Sequence, residues 1–185
     1  GAPSLVELDL SRSNIGPNGV AALADMLSMT TPLQKLILNK NWHIGNGGVS
    51  TLAKALRGNT TLLRLDLRNC GFGNAGAADI GAALRYNDTL EDLNIEDNDN
   101  IGWEGMNKLV DGMSWNTCLL HLVRTLTLPV ELTNKLIGIL AVNRFIKGYH
   151  ERERQVIFYK LWPRIYAEAS NQHPAGLYFL LKDTN

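Results

Sequence analysis

An internal repeat of 28 or 29 residues constrains the fold of this 185-residue chain more than any other feature of its sequence. Five segments share one apolar spacing, with Leu at the first and fourth places. They begin at residues 5, 33, 62, 90 and 119, at intervals of 28, 29, 28 and 29 residues. Self-similarity at a fixed period is the signature of repeat architectures. The register therefore indicates one structural unit copied along the chain.

Each unit combines a strand pattern with a helix pattern. Apolar residues at the first, fourth and sixth places are typical of a short strand with one buried face. A glycine at an equivalent place is then followed by apolar residues three and four positions apart, which is the spacing of a helix stripe. The four stripes are Val20, Leu23 and Leu27; Val49, Leu52 and Leu56; Ala77, Ile80 and Leu84; and Met106, Leu109 and Met113. We predict alternating strands and helices.

The strand pattern continues into an inward Asn or Cys, at Asn41, Cys70 and Asn98, and then an apolar residue. This consensus resembles the leucine-rich repeat, and the 28/29 alternation is similar to its ribonuclease-inhibitor-like subclass. The resemblance implies an α/β, right-handed solenoid with a curved parallel sheet inside and helices outside. Curvature is also expected physically, because strands lie about 4.8 Å apart and packed helices about 8 to 10 Å apart.

The repeat pattern ends in the fifth segment, where Arg124 occupies the third apolar place and Pro129 follows. We predict a solenoid over residues 1–129 and a helical C-terminal cap, of three helices, over residues 130–185, because the open end of a repeat array needs a cover. The Asn143-Arg144 pair and the Leu-Trp-Pro run at 161–163 resemble the C-terminal ends of leucine-rich-repeat proteins of diatoms and related algae. The first repeat lacks a polar cap, so either further repeats precede it or a partner covers it.

Composition excludes several function classes. Lys plus Arg is 18 and Asp plus Glu is 18, so no basic excess favours nucleic acid as a partner. No apolar stretch is long enough to insert into a membrane. Two distant cysteines favour a reducing compartment, so we expect an intracellular, cytoplasmic protein. We also predict no catalytic, cofactor or metal site, because the histidines are scattered and the acidic stretch 92–99 lacks calcium-loop spacing.

Outward strand positions form two columns across the predicted sheet. One contains Glu7, Lys35, Arg64, Asp92 and His121, and the other contains Ser11, Asn39, Arg68, Glu96 and Thr125. Neighbouring opposite charges predict the pairs Glu7–Lys35 and Arg68–Glu96. The columns fit a self-compensated, soluble sheet, and they equally fit a polar platform for a protein of mixed charge.

Large aromatic residues supply the remaining candidates. Trp42 and Trp103 are predicted in strand-to-helix loops of the two longer repeats, and exposed Trp is enriched at binding hot spots. The alternative is that each Trp folds back over its own loop. The candidate partner-binding set is Trp42, Trp103, Lys40, Arg64, Arg68, Asp92, Glu96 and Asp97. A separate column of Met29, Gly58, Tyr86 and Trp115 near the helix ends fits either a convex patch or packing between neighbouring repeats, and packing is favoured.

The sequence thus predicts a non-catalytic protein–protein interaction scaffold that binds an unidentified partner through the concave sheet and its loop rim. One alternative is a small-GTPase regulator resembling the Ran GTPase-activating protein. The other is an actin-capping module resembling tropomodulin, suggested by the Asn-x-Thr-Leu turns at Asn59 and Asn87. These turns also match the glycosylation sequon, but a structural role for both amides is favoured. Cys70 is expected to be a buried, inert thiol.

Overall fold

The structure is a computed structural model that describes residues 5–29, 31–125 and 127–147. The second and third predicted helices of the tail lie outside these ranges. Strands and helices alternate in the order β1 (Glu7–Asp9), α1 (Pro17–Ser28), β2 (Lys35–Ile37), a 3₁₀ turn (Trp42–Ile44), α2 (Gly45–Leu56), β3 (Arg64–Asp66), α3 (Asn74–Leu84), β4 (Asp92–Asn94), α4 (Trp103–Met113), β5 (His121–Val123) and α5 (Val130–Lys147). The chain divides into two compact units, residues 1–127 and 128–185, and each is described by itself.

The five strands of the first unit form one parallel sheet in sequence order. The register is the one that the repeat dictates, because equivalent residues pair across every strand boundary. The partners run Glu7, Lys35, Arg64, Asp92 and His121. The prediction of an α/β leucine-rich-repeat-type solenoid is confirmed.

The core lies between the sheet and the helices. The apolar residues at the first, fourth and sixth places of the second, third and fourth repeats are all buried. All of them are leucines except Ile95, at the sixth place of the fourth repeat. All four predicted helix stripes are buried as well. Burying an aliphatic side chain contributes about 1.5 to 3 kcal/mol. A repeat buries most apolar surface when it has a neighbour on both sides, so the inner repeats gain the most free energy from burial.

An inner ladder of polar side chains satisfies the backbone where the chain leaves the sheet. The Asn98 side chain donates to the Leu67 carbonyl at 2.9 Å and accepts the Cys70 N–H at 2.9 Å. Cys70 replaces Asn in the third repeat, and its Sγ lies 3.2 Å from the Leu38 carbonyl. Burial raises the pKa of the Cys70 thiol to about 12. The thiol therefore stays protonated at neutral pH and is not a nucleophile.

A second ladder occupies the helix-to-strand turns and consists of Asn59, Asn87 and Asn116, all buried. Asn87 Nδ2 donates to the Leu56 carbonyl at 2.7 Å, and its Oδ1 accepts the Leu90 N–H at 2.8 Å. The amides of Asn59 and Asn87 are therefore engaged inside the fold, which supports their structural interpretation over glycosylation.

Two helices receive their N-terminal cap from the preceding repeat. Asn46 Oδ1 accepts the N–H groups of Gly73 and Gly76, at 2.9 and 3.0 Å. Asn74 Oδ1 accepts those of Gly102 and Gly105 in the same way, at 2.7 and 3.2 Å. A side-chain oxygen at this place satisfies N–H groups that a helix start leaves free. The fourth repeat has Trp103 at the place equivalent to Asn46 and Asn74.

Helices α3 and α4 touch through their backbones. A Cβ added to Gly112 would lie 2.1 Å from the Gly81 carbonyl oxygen, and one added to Gly81 would lie 2.8 Å from Leu109 Cα. Only glycine permits such an approach. The two glycines therefore set the separation of these helices.

Helix α5 begins directly after Pro129, whose carbonyl accepts the Thr133 N–H at 2.9 Å. Its buried residues include Leu132, Leu136 and Ile139. The helix expected at the start of the tail is therefore present, while its capping role remains a prediction. None of the helices in the described part of the chain is both long and apolar enough to cross a membrane.

Candidate functional site

The concave face of the sheet carries three columns of side chains, two of which the sequence predicted. The third runs between them and contains Asp9, Ile37, Asp66, Asn94 and Val123. Sequence reasoning missed it, although its residues lie two places after the first column. The first and middle columns from β2 to β5 line an open cavity of about 480 Å³. We call this cavity and the strand ends beside it the concave groove.

Ion pairs link neighbouring repeats along the first column. Lys35 Nζ lies 2.7 Å from Glu7 Oε1, as predicted, and Arg64 Nε lies 2.9 Å from Asp92 Oδ2. The other oxygen of Asp92 contacts Nδ1 of His121. Asp92 therefore joins three successive strands.

Arg68 organises the second predicted column, which contains Ser11, Asn39, Arg68, Glu96 and Thr125. Its Nε lies 2.7 Å from Asp97 Oδ2, whereas its NH1 lies 3.9 Å from Glu96 Oε2. The predicted Arg68–Glu96 pair is present but is the longer of the two. Asp97 is the nearer partner because its backbone adopts the left-handed conformation, with φ of 55°. The adjacent Asp97 carboxylate raises the pKa of Arg68.

The polar members of the middle column turn back onto their own strand ends. Asp66 Oδ1 accepts the Arg68 N–H at 2.9 Å, and Asn94 Oδ1 accepts the Glu96 N–H at 3.0 Å. The Ser11 hydroxyl and N–H hold the pKa of Asp9 below its usual value in the same way. Half-buried Ile37 and exposed Val123 are thus the apolar members of a polar face.

The charged side chains of the groove are paired with one another. Its three cations, Lys35, Arg64 and Arg68, all face carboxylates. Among the described residues, no group of three His, Cys, Asp or Glu side chains is placed to hold a metal ion. What the groove offers a ligand is a set of exchangeable ion pairs beside a small apolar surface.

Two large aromatic side chains lie on the segments that follow β2 and β4. Trp42 is 64% exposed and Trp103 is 68% exposed, so neither is buried over its own loop. Trp42 opens the 3₁₀ turn, and its ring lies 3.9 Å from that of His43. Trp103 is the first residue of α4 rather than a loop residue, so its predicted position was wrong. Exposed Lys40 has a left-handed backbone, with φ of 61°.

The column near the helix ends is exposed rather than buried between repeats, so the favoured interpretation was wrong and the exposure fits the alternative of a convex patch. Met29, Tyr86 and Trp115 are 68%, 56% and 55% exposed. Gly58 leaves a gap in the second repeat, where an added Cβ would meet nothing within 4 Å. Arg57 of the second repeat lies over the Tyr86 ring, 4.0 Å from its centroid, and more than half of Tyr86 still stays exposed.

Sequence comparison accounts for this repeat geometry. A family model described as Leucine Rich repeat matches residues 1–24, 31–53, 58–81 and 86–110, which is more than half of the chain. The chain belongs to the leucine-rich repeat family. A search of curated protein sequences gave no significant match. The ribonuclease-inhibitor-like subclass and the resemblance of the tail to algal proteins stay predictions.

Solved leucine-rich repeat structures share the fold. One is leiomodin-1 actin-binding site 2, with 20% identity and a TM-score of 0.72, covering 86% of this chain and 89% of that one. Another is the tropomodulin C-terminal domain of Caenorhabditis elegans, with 13% identity and a TM-score of 0.67, covering 84% and 90%. At these identities the likeness shows the fold alone.

Proposed function

We propose that this leucine-rich repeat protein is a non-catalytic module that binds a protein partner through the concave groove and the nearby Trp42 and Trp103. The observation that carries the proposal is the exposure of both indoles, on the segments that follow β2 and β4. Protein interfaces concentrate binding energy in a few large side chains, Trp foremost, surrounded by polar groups. A cytoplasmic location belongs to the same proposal.

The paired charges fit the polar part of such an interface. An exposed ion pair contributes only about 0.2 to 1 kcal/mol, so a partner's charges can replace one member at little cost. Charges arranged in this way act on specificity and association rate more than on affinity. Besides the two indoles, the proposed contact residues are Arg64, Arg68, Asp92, Glu96, Asp97 and Lys40, of which Lys40 alone has no ion pair within the described residues.

We expect the double variant Trp42→Ala, Trp103→Ala to raise the Kd for the partner about 100-fold or more, because truncating a hot-spot residue costs about 2 kcal/mol or more. The partner is first purified with the full chain from its native source, and the Kd is then measured by calorimetry. The comparison variant is Tyr86→Ala, Trp115→Ala, which removes two similarly exposed aromatics from the helix ends, and a loss of binding confined to this variant would place the partner at the helix ends instead of the groove. A folded double variant that retains native affinity would exclude the indoles as the site.

Calorimetry with the same partner also tells whether the charged columns are a binding platform or serve only the solubility of the sheet. Exchanging Arg68 and Asp97 for one another keeps an internal pair but reverses the charge at each place. A polar platform requires this exchange to weaken binding, whereas a sheet whose charges serve only solubility predicts no change.

Actin binding is a second candidate for the same module. It is favoured by the likeness to leiomodin-1 actin-binding site 2 over most of both chains. We expect an actin-binding chain to co-sediment with filamentous actin in proportion to filament concentration, and less so at high salt, because exposed charges are screened. Absence of the chain from the pellet at filament concentrations of about 50 μM, well above ordinary micromolar Kd values, rejects this candidate. No observation favours the small-GTPase regulator.

A further inference from the structure

A second exposed surface lies at the C-terminal ends of the helices, away from the concave groove. Met29, Tyr86 and Trp115 occupy equivalent places in the first, third and fourth repeats, and all three are more than half exposed. Arg57 and Arg85 directly precede Gly58 and Tyr86 in the second and third repeats. We call Met29, Arg57, Arg85, Tyr86 and Trp115 the helix-end surface. None of them belongs to the site proposed above.

The two arginines converge on one aromatic ring. The Arg57 guanidinium carbon lies 4.0 Å from the centroid of the Tyr86 ring, and that of Arg85 lies 6.0 Å from it. Stacking on an aromatic face holds a guanidinium in a defined orientation and leaves its N–H edge free to donate. Tyr86 thus positions two cations that come from different repeats.

These cations differ from those of the concave groove. Within the described ranges, Lys35, Arg64 and Arg68 each lie within 4.0 Å of a carboxylate, whereas neither Arg57 nor Arg85 does. Gly58 directly follows Arg57, and an added Cβ there would meet no atom within 4 Å. An uncompensated pair of cations flanked by apolar side chains is complementary to carboxylates carried on an apolar chain.

We propose that the helix-end surface docks an acidic peptide segment of a protein partner, with its carboxylates on Arg57 and Arg85 and its apolar side chains on Tyr86 and Trp115. The surface crosses four repeats, or about 25 Å at helix spacing, which is the length of about eight extended residues. Nucleic acid is the poorer fit, because its binding needs many cations and the chain carries equal numbers of each charge.

Gly58 permits a matched pair of variants. An added side chain there meets no neighbouring atom, so Gly58→Glu and Gly58→Gln are expected to be equally folded. Glu at this place puts a carboxylate next to Arg57, where it competes with the peptide. Gln fills the same volume without the charge.

The probe is a fluorescein-labelled peptide of about ten residues that alternates Glu with Leu and Phe, measured by anisotropy and by ¹⁵N–¹H NMR on the full chain. We expect micromolar binding that weakens with salt and shifts the Trp115 indole signal. Gly58→Glu should weaken it about tenfold, the loss that about 1.4 kcal/mol produces, and Gly58→Gln less than twofold. The variant Trp42→Ala, Trp103→Ala should leave it unchanged, which separates this surface from the proposed concave site.

Four results would overturn the proposal. The first is no binding at millimolar peptide, and the second is equal binding of a control peptide with Lys in place of Glu. The third is tighter binding of an oligouridine of equal length, which would make the surface one for nucleic acid. The fourth is self-association that Gly58→Glu abolishes, which would make the occupant a second copy of this chain.

Discussion

Gly112→Ala should lower the free energy of unfolding by about 3 kcal/mol or more, although alanine is the better helix former by about 1 kcal/mol. The added methyl would lie 2.1 Å from the Gly81 carbonyl oxygen, and backbone atoms cannot move aside as a flexible side chain can. Helices α3 and α4 must separate, which loosens the packing around Ile80 and Leu109, buried residues of these two helices. Overpacking a close contact typically costs about 1 to 3 kcal/mol, and more where backbone is displaced. Urea unfolding followed by circular dichroism measures the loss.

Gly47→Ala is the matched control, because it makes the same chemical change in another helix of the array. Gly47 lies in α2, is exposed, and has no atom within 4 Å of an added Cβ. This variant should be unchanged or more stable by up to about 1 kcal/mol. Equal effects of the two substitutions would show that the contact between Gly81 and Gly112 does not limit the packing of α3 and α4.

Asn87→Ala should be the most damaging truncation of an uncharged polar side chain in the array, with a loss of about 2 to 4 kcal/mol. The Asn87 amide bonds to the carbonyls of Leu56 and Asn59 and to the N–H of Leu90, so it joins two repeats at one buried point. Each buried group left without a partner costs about 1 to 3 kcal/mol. For a chain of this length, the melting temperature should fall by about 5 to 15 °C.

Asn107→Ala provides the comparison for this variant. Asn107 is exposed on α4, and its amide makes a 3.4 Å contact with Asp111. Its replacement should change the melting temperature by less than about 2 °C. A comparably small shift for Asn87→Ala would mean that water or a local rearrangement satisfies the exposed backbone groups.

Much of the fold follows from the repeat register. A fixed period forces equivalent residues to pair, so the alignment of Glu7, Lys35 and Arg64 across the sheet was predictable before any coordinates. The burial of the helix stripes followed from their spacing for the same reason. The pair between Glu7 and Lys35 was predictable because neighbours in a column lie within reach of one another.

Features that depend on backbone conformation were not predictable in this way. Asp97, rather than Glu96, is the nearer partner of Arg68 because a left-handed residue turns its side chain out of the strand alternation. The close approach of Gly81 and Gly112 was not predictable either, since a repeat pattern gives no interhelix distance. The exposure of Tyr86 was not the favoured prediction. The repeat register shows that Tyr86 is aligned with Met29 and Trp115, but it gives no distance between the ends of neighbouring helices.

Candidate site residues were predictable in type more than in arrangement. The tryptophans and the alternating charges could be read from the sequence. The sequence did not show that Trp42 lies in a 3₁₀ turn whereas Trp103 begins α4. The middle column was not predicted, because its polar side chains accept hydrogen bonds from nearby backbone N–H groups. A pattern of charges in the sequence does not show such bonds. The binding role of all these residues rests on the experiments above.

The caps that Asn46 and Asn74 supply give the array a direction in which it can be lengthened. A duplicated copy of the third repeat, placed after the original, would bring an Asn that caps whatever helix follows it. A duplicated fourth repeat would bring Trp103 instead, and the next helix would start with free N–H groups. Inserting a repeat inside the array, whether by gene duplication or by design, therefore keeps the caps of the helices. Adding a repeat after the fourth one does not, because Trp103 supplies no such cap.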